Sequence, residues 1–327
     1  MTEFWRGRRV FVTGCTGLLG SWLTARLVER GAQVVGLIRD WVPRSYLHSS
    51  GMLDRIMVVR GSVTSVRTIE RALNEYEVDT CFHLAAQTIV TIANRSPLST
   101  FESNIKGTWT VLEAARHSKT LQRLVVASSD KAYGVMDRLP YDETMPLQGR
   151  YPYDVSKSCA DLLAQSYHHT SGLPLAITRC GNLFGGGDLN FNRVIPGTAR
   201  DILFDRDPVI RSDGSPIRDY LYVEDAVEGC LCLAERAHEP GIRGEAFNLS
   251  PEQPLTVLDV VERMLAVSGK RHLHPRVLGN SLPEGEIPHQ YLCAAKAKRL
   301  LGWQAAWPLE AALRKTLAWY EAHFAQQ

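Results

Sequence analysis

The sequence predicts an α/β chain: a doubly wound, mostly parallel sheet, with a smaller mixed α/β portion towards the C-terminal end. Three observations predict it. Short apolar runs alternate with helix-spaced runs up to about residue 180. A glycine-rich turn separates the first apolar run from the first helical one. Beyond that region the alternation loosens into Gly- and Asn-rich segments.

The elements follow in order. "RRVFVTG" (8–14) reads as a strand ending in glycine, and "LLGSWLTARLVERG" (18–31) as a helix stopped by Gly31. "AQVVGLIRD" (32–40) and "IMVVRGS" are the next two strands, followed by the helix "VRTIERALNEY". "VDTCFHLAA" is a fourth strand, "NIKGTWTVLEAARHS" a helix, and "LQRLVVASSD" a fifth strand. The long helix "YDVSKSCADLLAQSYHHTSG" precedes a sixth strand, "LPLAITRCGN". Strands joined through helices need crossovers, so the sheet is parallel and covered on both faces. After the loop "NLFGGGDLNFN", helices are expected at 194–206 and 256–269, and a strand then a helix within "PIRDYLYVEDAVEGCLCLAERA". "NSLPEGEIPHQY" reads as irregular, with Glu284 and Glu286 at a cleft rim or in a solvated loop. "AAKAKRLLGW" and "PLEAALRKTLAWYEAHF" read as helices.

Composition narrows the function classes. The 327 residues are 45% hydrophobic and 22% charged, which suits a globular enzyme-sized chain. A net charge of +2 makes no case for nucleic acid or an anionic membrane. No apolar run approaches the roughly 18 residues of a membrane span. "MTEFWRGRRVFVTG" enters folding material at once, so no secretory signal is expected. Seven cysteines without paired spacing point to reduced thiols and a cytoplasmic location. His83, inside a strand, reads as a packed histidine, and no metal site is expected.

The turn "TGCTGLLG" carries G-x-x-G-x-x-G at Gly14, Gly17 and Gly20. Between a first strand and a first helix, such glycines allow a tight turn and close approach of a pyrophosphate to helix amides. This makes the sheet Rossmann-type. Residues 1–180 are expected to bind NAD(P), with the chain returning to that domain near 219–250. Residues 181–327 are expected to form the far wall of a cleft. Gly14, Thr16, Gly17, Leu18, Leu19 and Gly20 form the expected dinucleotide loop. Asp40, 20 positions after Gly20, suits the ribose hydroxyls of NAD, while Arg39 beside it suits the 2′-phosphate of NADP. NAD is favoured, because Asp40 would repel a phosphate.

In "YPYDVSK", Tyr153 and Lys157 lie four apart and share a helix face. A lysine ammonium and a positive nicotinamide both favour the tyrosinate that a base needs. Ser129 ends the fifth strand, at the edge of the sheet where open α/β folds bind ligands.

At this point the chain resembles the extended short-chain dehydrogenases/reductases, NAD-dependent nucleotide-sugar epimerases and dehydratases. The resemblance rests on "VTGCTGLLG", "HLAAQ", "NIKGT", "YPYDVSK", "TRCGNLFGGGD", "RDYLYVEDA" and "KAKRLLGW". It implies Tyr153 as base on a sugar 4-hydroxyl, Ser129 as its holder, and Lys157 on the nicotinamide ribose. It implies Ser62, Val63, Leu84, Ala85, Ala86, Gln87 and Asn104 around the cofactor. Gln87, Ser129, Asn182, Arg193 and Arg218 are then expected at the nucleotide sugar, the arginines suiting its diphosphate. The resemblance also implies a homodimer through the helices "WTVLEAARHS" and "ADLLAQSYHHTS". Gly61-Ser62 departs from the family's usual Gly-Asp.

Asp130 and Lys131 follow Ser129. The pair is similar to that of CDP-glucose 4,6-dehydratases, as is the opening "FW-G-RVFVTG". Such an enzyme oxidises C4, removes water across C5–C6 and returns hydride to C6, giving a 4-keto-6-deoxy sugar. Asp130 is then the acid for the departing 6-hydroxyl and Lys131 the base for C5. "RDYLYV" (218–223) departs from the Arg-Pro-Trp-Gln of that group, and the chain is short for it. The alternatives are a 4-epimerase or decarboxylase using the same oxidation, a non-catalytic dinucleotide-binding regulator, and an Asp130–Lys131 pair that merely closes a loop.

Overall fold

The computed structural model describes residues 3–279 and 287–325. Seven parallel strands form the central sheet. Six are β1 (Arg9–Thr13), β2 (Gln33–Ile38), β3 (Met57–Arg60), β4 (Thr80–His83), β5 (Arg123–Ala127) and β6 (Leu175–Cys180). The seventh, Ala246–Leu249, comes from far along the chain and pairs with β6. The order is Ala246–Leu249, β6, β5, β4, β1, β2, β3. The order reverses between β1 and β4, which opens a crevice beyond their carboxyl ends.

Alternation along each strand splits the core in two. Val10, Val12, Phe82, Val125 and Ala176 face one side, where Leu19, Leu23 and Leu27 of the helix Leu18–Glu29 cover them. Phe11, Cys81, Leu124, Val126 and Ile177 face the other. There they meet Ile69 and Leu73 of the helix Val66–Glu75 and Val111 and Leu112 of the helix Gly107–His117. Each fully buried Leu, Val or Phe contributes about 1.5–3 kcal/mol.

The second portion is built on a small sheet. Its central strand, Ile217–Tyr222, pairs with Pro254–Thr256 on one side and with His289–Gln290 and Asn182–Phe184 on the other. The segment expected to be irregular therefore contributes a short strand at His289–Gln290, while Glu284 and Glu286 lie outside the described residues. The expected helices at 194–206 and 256–269 run over Val194–Leu203 and Val257–Ser268. The helix expected from "NIKGT" opens instead with a π-helical turn, Glu102–Lys106, before Gly107–His117. No helix among the described residues is long and apolar enough to cross a membrane.

Candidate active site

The glycine turn leaves β1 and enters the helix Leu18–Glu29. Gly14 has φ +74, and a Cβ there would lie 2.7 Å from the Ala85 amide nitrogen. A Cβ on Gly20 would lie 2.1 Å from the Gly14 carbonyl oxygen. Gly17 caps the helix in an extended conformation with no side-chain cap, so first-turn amides are left for an anion. This cradle fits the pyrophosphate of a dinucleotide. At the end of β2, Arg39 Nε and Asp40 Oδ2 form an exposed ion pair at 2.7 Å. Ser62 Oγ lies 2.8 Å from Thr64 Oγ1 and accepts from its amide.

His83, at the end of β4, sits between Thr13 Oγ1 at 2.9 Å and Thr108 Oγ1 at 3.0 Å. Burial, then the charge of Lys157, pushes its pKa down to about 3, so the ring is neutral and structural. The amides of Leu84 and Ala85 donate to Thr13 Oγ1, which holds the loop after β4 against β1. Asn104, on the π-helical turn, is buried and uses both ends of its amide. Its Oδ1 accepts from Gln87 N at 2.7 Å, and its Nδ2 donates to Gln87 O and to Ser156 Oγ. Ser156 donates in turn to the Tyr153 carbonyl at 2.6 Å. A π turn at such a place often marks a functional site.

The helix Pro152–Ser171 presents Tyr153 and Lys157 to the end of β5. Lys157 Nζ donates to the Ala127 carbonyl at 2.8 Å, and burial lowers its pKa to about 8. Burial pushes Tyr153 up to about 12, against its hydrogen bond with Ser129 and the charge of Arg193. The protein by itself therefore favours the neutral phenol rather than the tyrosinate expected from the sequence, because desolvation outweighs the cations around it. Cys180, at the end of β6, is also pushed up to about 12 by burial, which keeps it a thiol.

Ser129 caps a 3-10 turn, Asp130–Tyr133. Its Oγ donates to Asp130 Oδ1 at 2.9 Å and accepts from Lys131 N. Asp130 is 3% exposed. Burial raises its pKa, and Lys131, Ser129 and Arg218 pull it back. A carboxyl in that position is suited to hold a proton. Lys131 Nζ donates to Gln290 Oε1. Below the turn, Tyr133 donates to Asn248 Oδ1 and accepts from Arg179, which makes a buried bidentate pair with Asp161.

Of the residues expected at the substrate, Gln87 and Ser129 follow strands of the central sheet, and Asn182, Arg193 and Arg218 lie on the second portion. Asn182 is half-buried on its short strand. Arg193 joins Asp188 at 3.0 Å and reaches Thr88 of the loop after β4. Arg218 is buried, and its guanidinium donates to the carbonyls of Ile217, Pro288 and Ile287. Its charge also acts on Asp130. Residue patterns had assigned no role to Gln290, Ser156 or Asp219. Ser156 and Asp219 sit inside "YPYDVSK" and "RDYLYVEDA" without having been singled out, whereas Gln290 belongs to no motif and the fold alone brings it here.

Residues 10–250 match the model of the NAD dependent epimerase/dehydratase family. The chain belongs to this family. It is an NAD-dependent enzyme of the extended short-chain dehydrogenase/reductase superfamily. It is 31% identical to the CDP-glucose 4,6-dehydratase of Salmonella typhimurium over 98% of this chain and 92% of that one. DesIV, the dTDP-glucose 4,6-dehydratase of Streptomyces venezuelae solved with NAD and TYD bound, superposes with a TM-score of 0.86 at 26% identity, covering 97% and 98% of the two chains. The UDP-glucose 4-epimerase of Thermotoga maritima, solved with UDP-glucose, gives a TM-score of 0.87 at 25% identity over 97% and 99%. Family members of both reaction types thus share this architecture.

Proposed function

We propose that the protein is an NDP-hexose 4,6-dehydratase acting on a CDP-glucose-like nucleotide sugar. The observation that carries this is the Asp130–Lys131 pair directly after Ser129, its carboxyl buried and biased towards the protonated form. Oxidation at C4 needs only Ser129, Tyr153 and Lys157. An added acid and base are what water loss needs.

NAD, cradled by Gly14, Gly17 and Gly20 with the loop Leu84–Gln87, would supply the hydride acceptor for C4 and later the donor for C6. With the positive nicotinamide bound and the Lys157 ammonium beside it, both favouring the tyrosinate, Tyr153 takes the 4-hydroxyl proton while Ser129 holds that oxygen. The resulting 4-ketone acidifies C5. Lys131, as the amine, removes the C5 proton. Asp130 protonates the departing 6-hydroxyl, which leaves as water, and a C5–C6 double bond forms. When hydride reaches C6, Lys131 returns its proton to C5. Asn182 and Arg193 make the diphosphate side of the site, the Arg193 fork being suited to phosphate, while the Arg218 guanidinium braces the wall through backbone carbonyls. Trp109 and Leu162, exposed on the helices Gly107–His117 and Pro152–Ser171, are the apolar face of a homodimer.

The test is turnover of CDP-, dTDP- and UDP-glucose and GDP-mannose, read by mass. Loss of one water, with the alkaline ultraviolet absorbance of a 4-keto-6-deoxy sugar, is expected with at least one of them, first CDP-glucose. Lys131→Met should abolish deuterium exchange at C5. Retained exchange overturns the base assignment. A 4-epimerase is the second reading, favoured by the likeness to the Thermotoga maritima enzyme and by the form of "RDYLYV". A mass-neutral product with all four sugars would establish it instead.

A further inference from the structure

Gln290 is fully buried on the strand His289–Gln290, in register with Arg218. From there its side chain crosses to the turn after β5. Its Nε2 donates to the Asp130 carbonyl oxygen at 2.9 Å, and its Oε1 accepts from Lys131 Nζ. One amide thus holds the backbone of the acid and the head of the lysine. A primary amide suits this because its donor and acceptor lie in one rigid plane. With both ends engaged and no room to rotate, its own geometry is transmitted to Lys131.

The neighbouring contacts make the clamp stiff. Tyr141 N donates to Tyr291 O, and Cys293 N donates to Tyr141 O, so the chain on either side of Leu292 is stitched to the loop beyond the turn. Leu292 N donates to Asp219 Oδ2 at 2.7 Å on the strand that carries Arg218. Gln290 therefore stands on a braced support belonging to the substrate wall, while the residues it grips belong to the central sheet. A lysine has four rotatable side-chain bonds and wanders unless its head is held. The acceptor is also neutral. A carboxylate in its place would make a charge-assisted bond and retain the proton on the lysine.

We propose that Gln290 is the positioning residue of the Asp130–Lys131 pair, aiming the Lys131 amine at the C5 hydrogen and leaving it able to take that proton. This rests on the dehydratase reading of the pair. Gln290 acts after C4 oxidation, through Lys131, and touches no reacting atom itself.

The experiment follows two partial reactions in D2O with the sugar nucleotide that the wild-type enzyme converts, CDP-glucose being tried first. C4 oxidation is read as absorbance at about 340 nm in a single turnover. C5 exchange is read as deuterium in the recovered sugar per oxidation event. Gln290→Met, close in size and without hydrogen bonds, should keep oxidation within about twofold and lower exchange per oxidation about 10–100-fold, less than the roughly 10²–10⁴-fold worth of the general base itself. Gln290→Glu, which keeps a polar group in the buried place, should also lower that ratio, by at least about fivefold. A wild-type ratio in either variant overturns the proposal. So does an equal loss of both steps, which is what a merely structural residue would give. Failure of the underlying reading shows itself separately, as a wild-type enzyme that yields only mass-neutral product.

Discussion

Asn104 Nδ2 donates to Ser156 Oγ at 2.9 Å, and this bond ties the loop after β4 to the helix that carries Tyr153. The same amide satisfies both backbone groups of Gln87. Replacing Asn104 by Ala leaves those groups without their partner in a half-buried place, where each one unsatisfied costs towards the lower end of about 1–3 kcal/mol. Asn104→Ala should lower unfolding free energy by at least about 2 kcal/mol in a urea titration, and turnover should fall with it. Wild-type stability would show that the bridge carries no strain-free constraint of its own.

Gly20 faces the Gly14 carbonyl so closely that a methyl group has no place. Gly20→Ala must push the helix Leu18–Glu29 away from β1, an overpacking cost of about 1–3 kcal/mol. Because that helix N-terminus is the proposed anion cradle, NAD affinity should drop at least tenfold by titration calorimetry. Unchanged affinity would remove the cradle from the cofactor site.

Tyr153→Phe removes one oxygen and leaves the ring in its buried place. Turnover of the converted sugar nucleotide should fall about 10²–10⁴-fold, the usual worth of a general base, with NAD binding and circular dichroism intact. A variant that turns over at the wild-type rate would leave the reaction to other groups. A wild-type chain that binds NAD and converts nothing would favour a non-catalytic regulator.

Asp219 is 1% exposed, and burial pushes its pKa up from 3.8 to about 6. Ser250 and the Leu292 amide lower it, while Asp130 and Glu252 raise it. A carboxyl that binds its proton more tightly in the folded state favours folding below its unfolded pKa. That contribution is lost as the pH rises through about 6. Two pH units correspond to up to about 3 kcal/mol. Between about pH 4 and 6 the wild-type chain should lose stability that Asp219→Asn does not lose. Denaturant titrations at both ends of that window measure the difference, and parallel slopes for the two proteins would refute it.

Much of this was legible in residue order. Gly14, Gly17 and Gly20 announce their turn because a tight bend and a close backbone approach exclude larger residues. Tyr153 and Lys157 announce a shared face because a helix repeats every 3.6 residues. His83 reads as a packed histidine for an equally local reason: it lies in an apolar strand, and its two threonine partners confirm it. Asn104 came from family resemblance, which says that it matters but not that it bridges Gln87 and Ser156. The strand at His289–Gln290 was read as irregular because two residues carry no periodicity.

By itself, then, the sequence determined the alternating α/β order, the dinucleotide turn and the shared helix face of Tyr153 and Lys157. These are set by local sterics and by spacing along one element. Tertiary structure alone decided that Lys131 meets Gln290, that Asp130 is buried within reach of the Arg218 charge, and that burial pushes Tyr153 up to about 12. Lys131 and Gln290 lie 159 positions apart. Nothing in the intervening order encodes their meeting, which follows only when the strand Ile217–Tyr222 packs its small sheet against the carboxyl ends of β5 and β6.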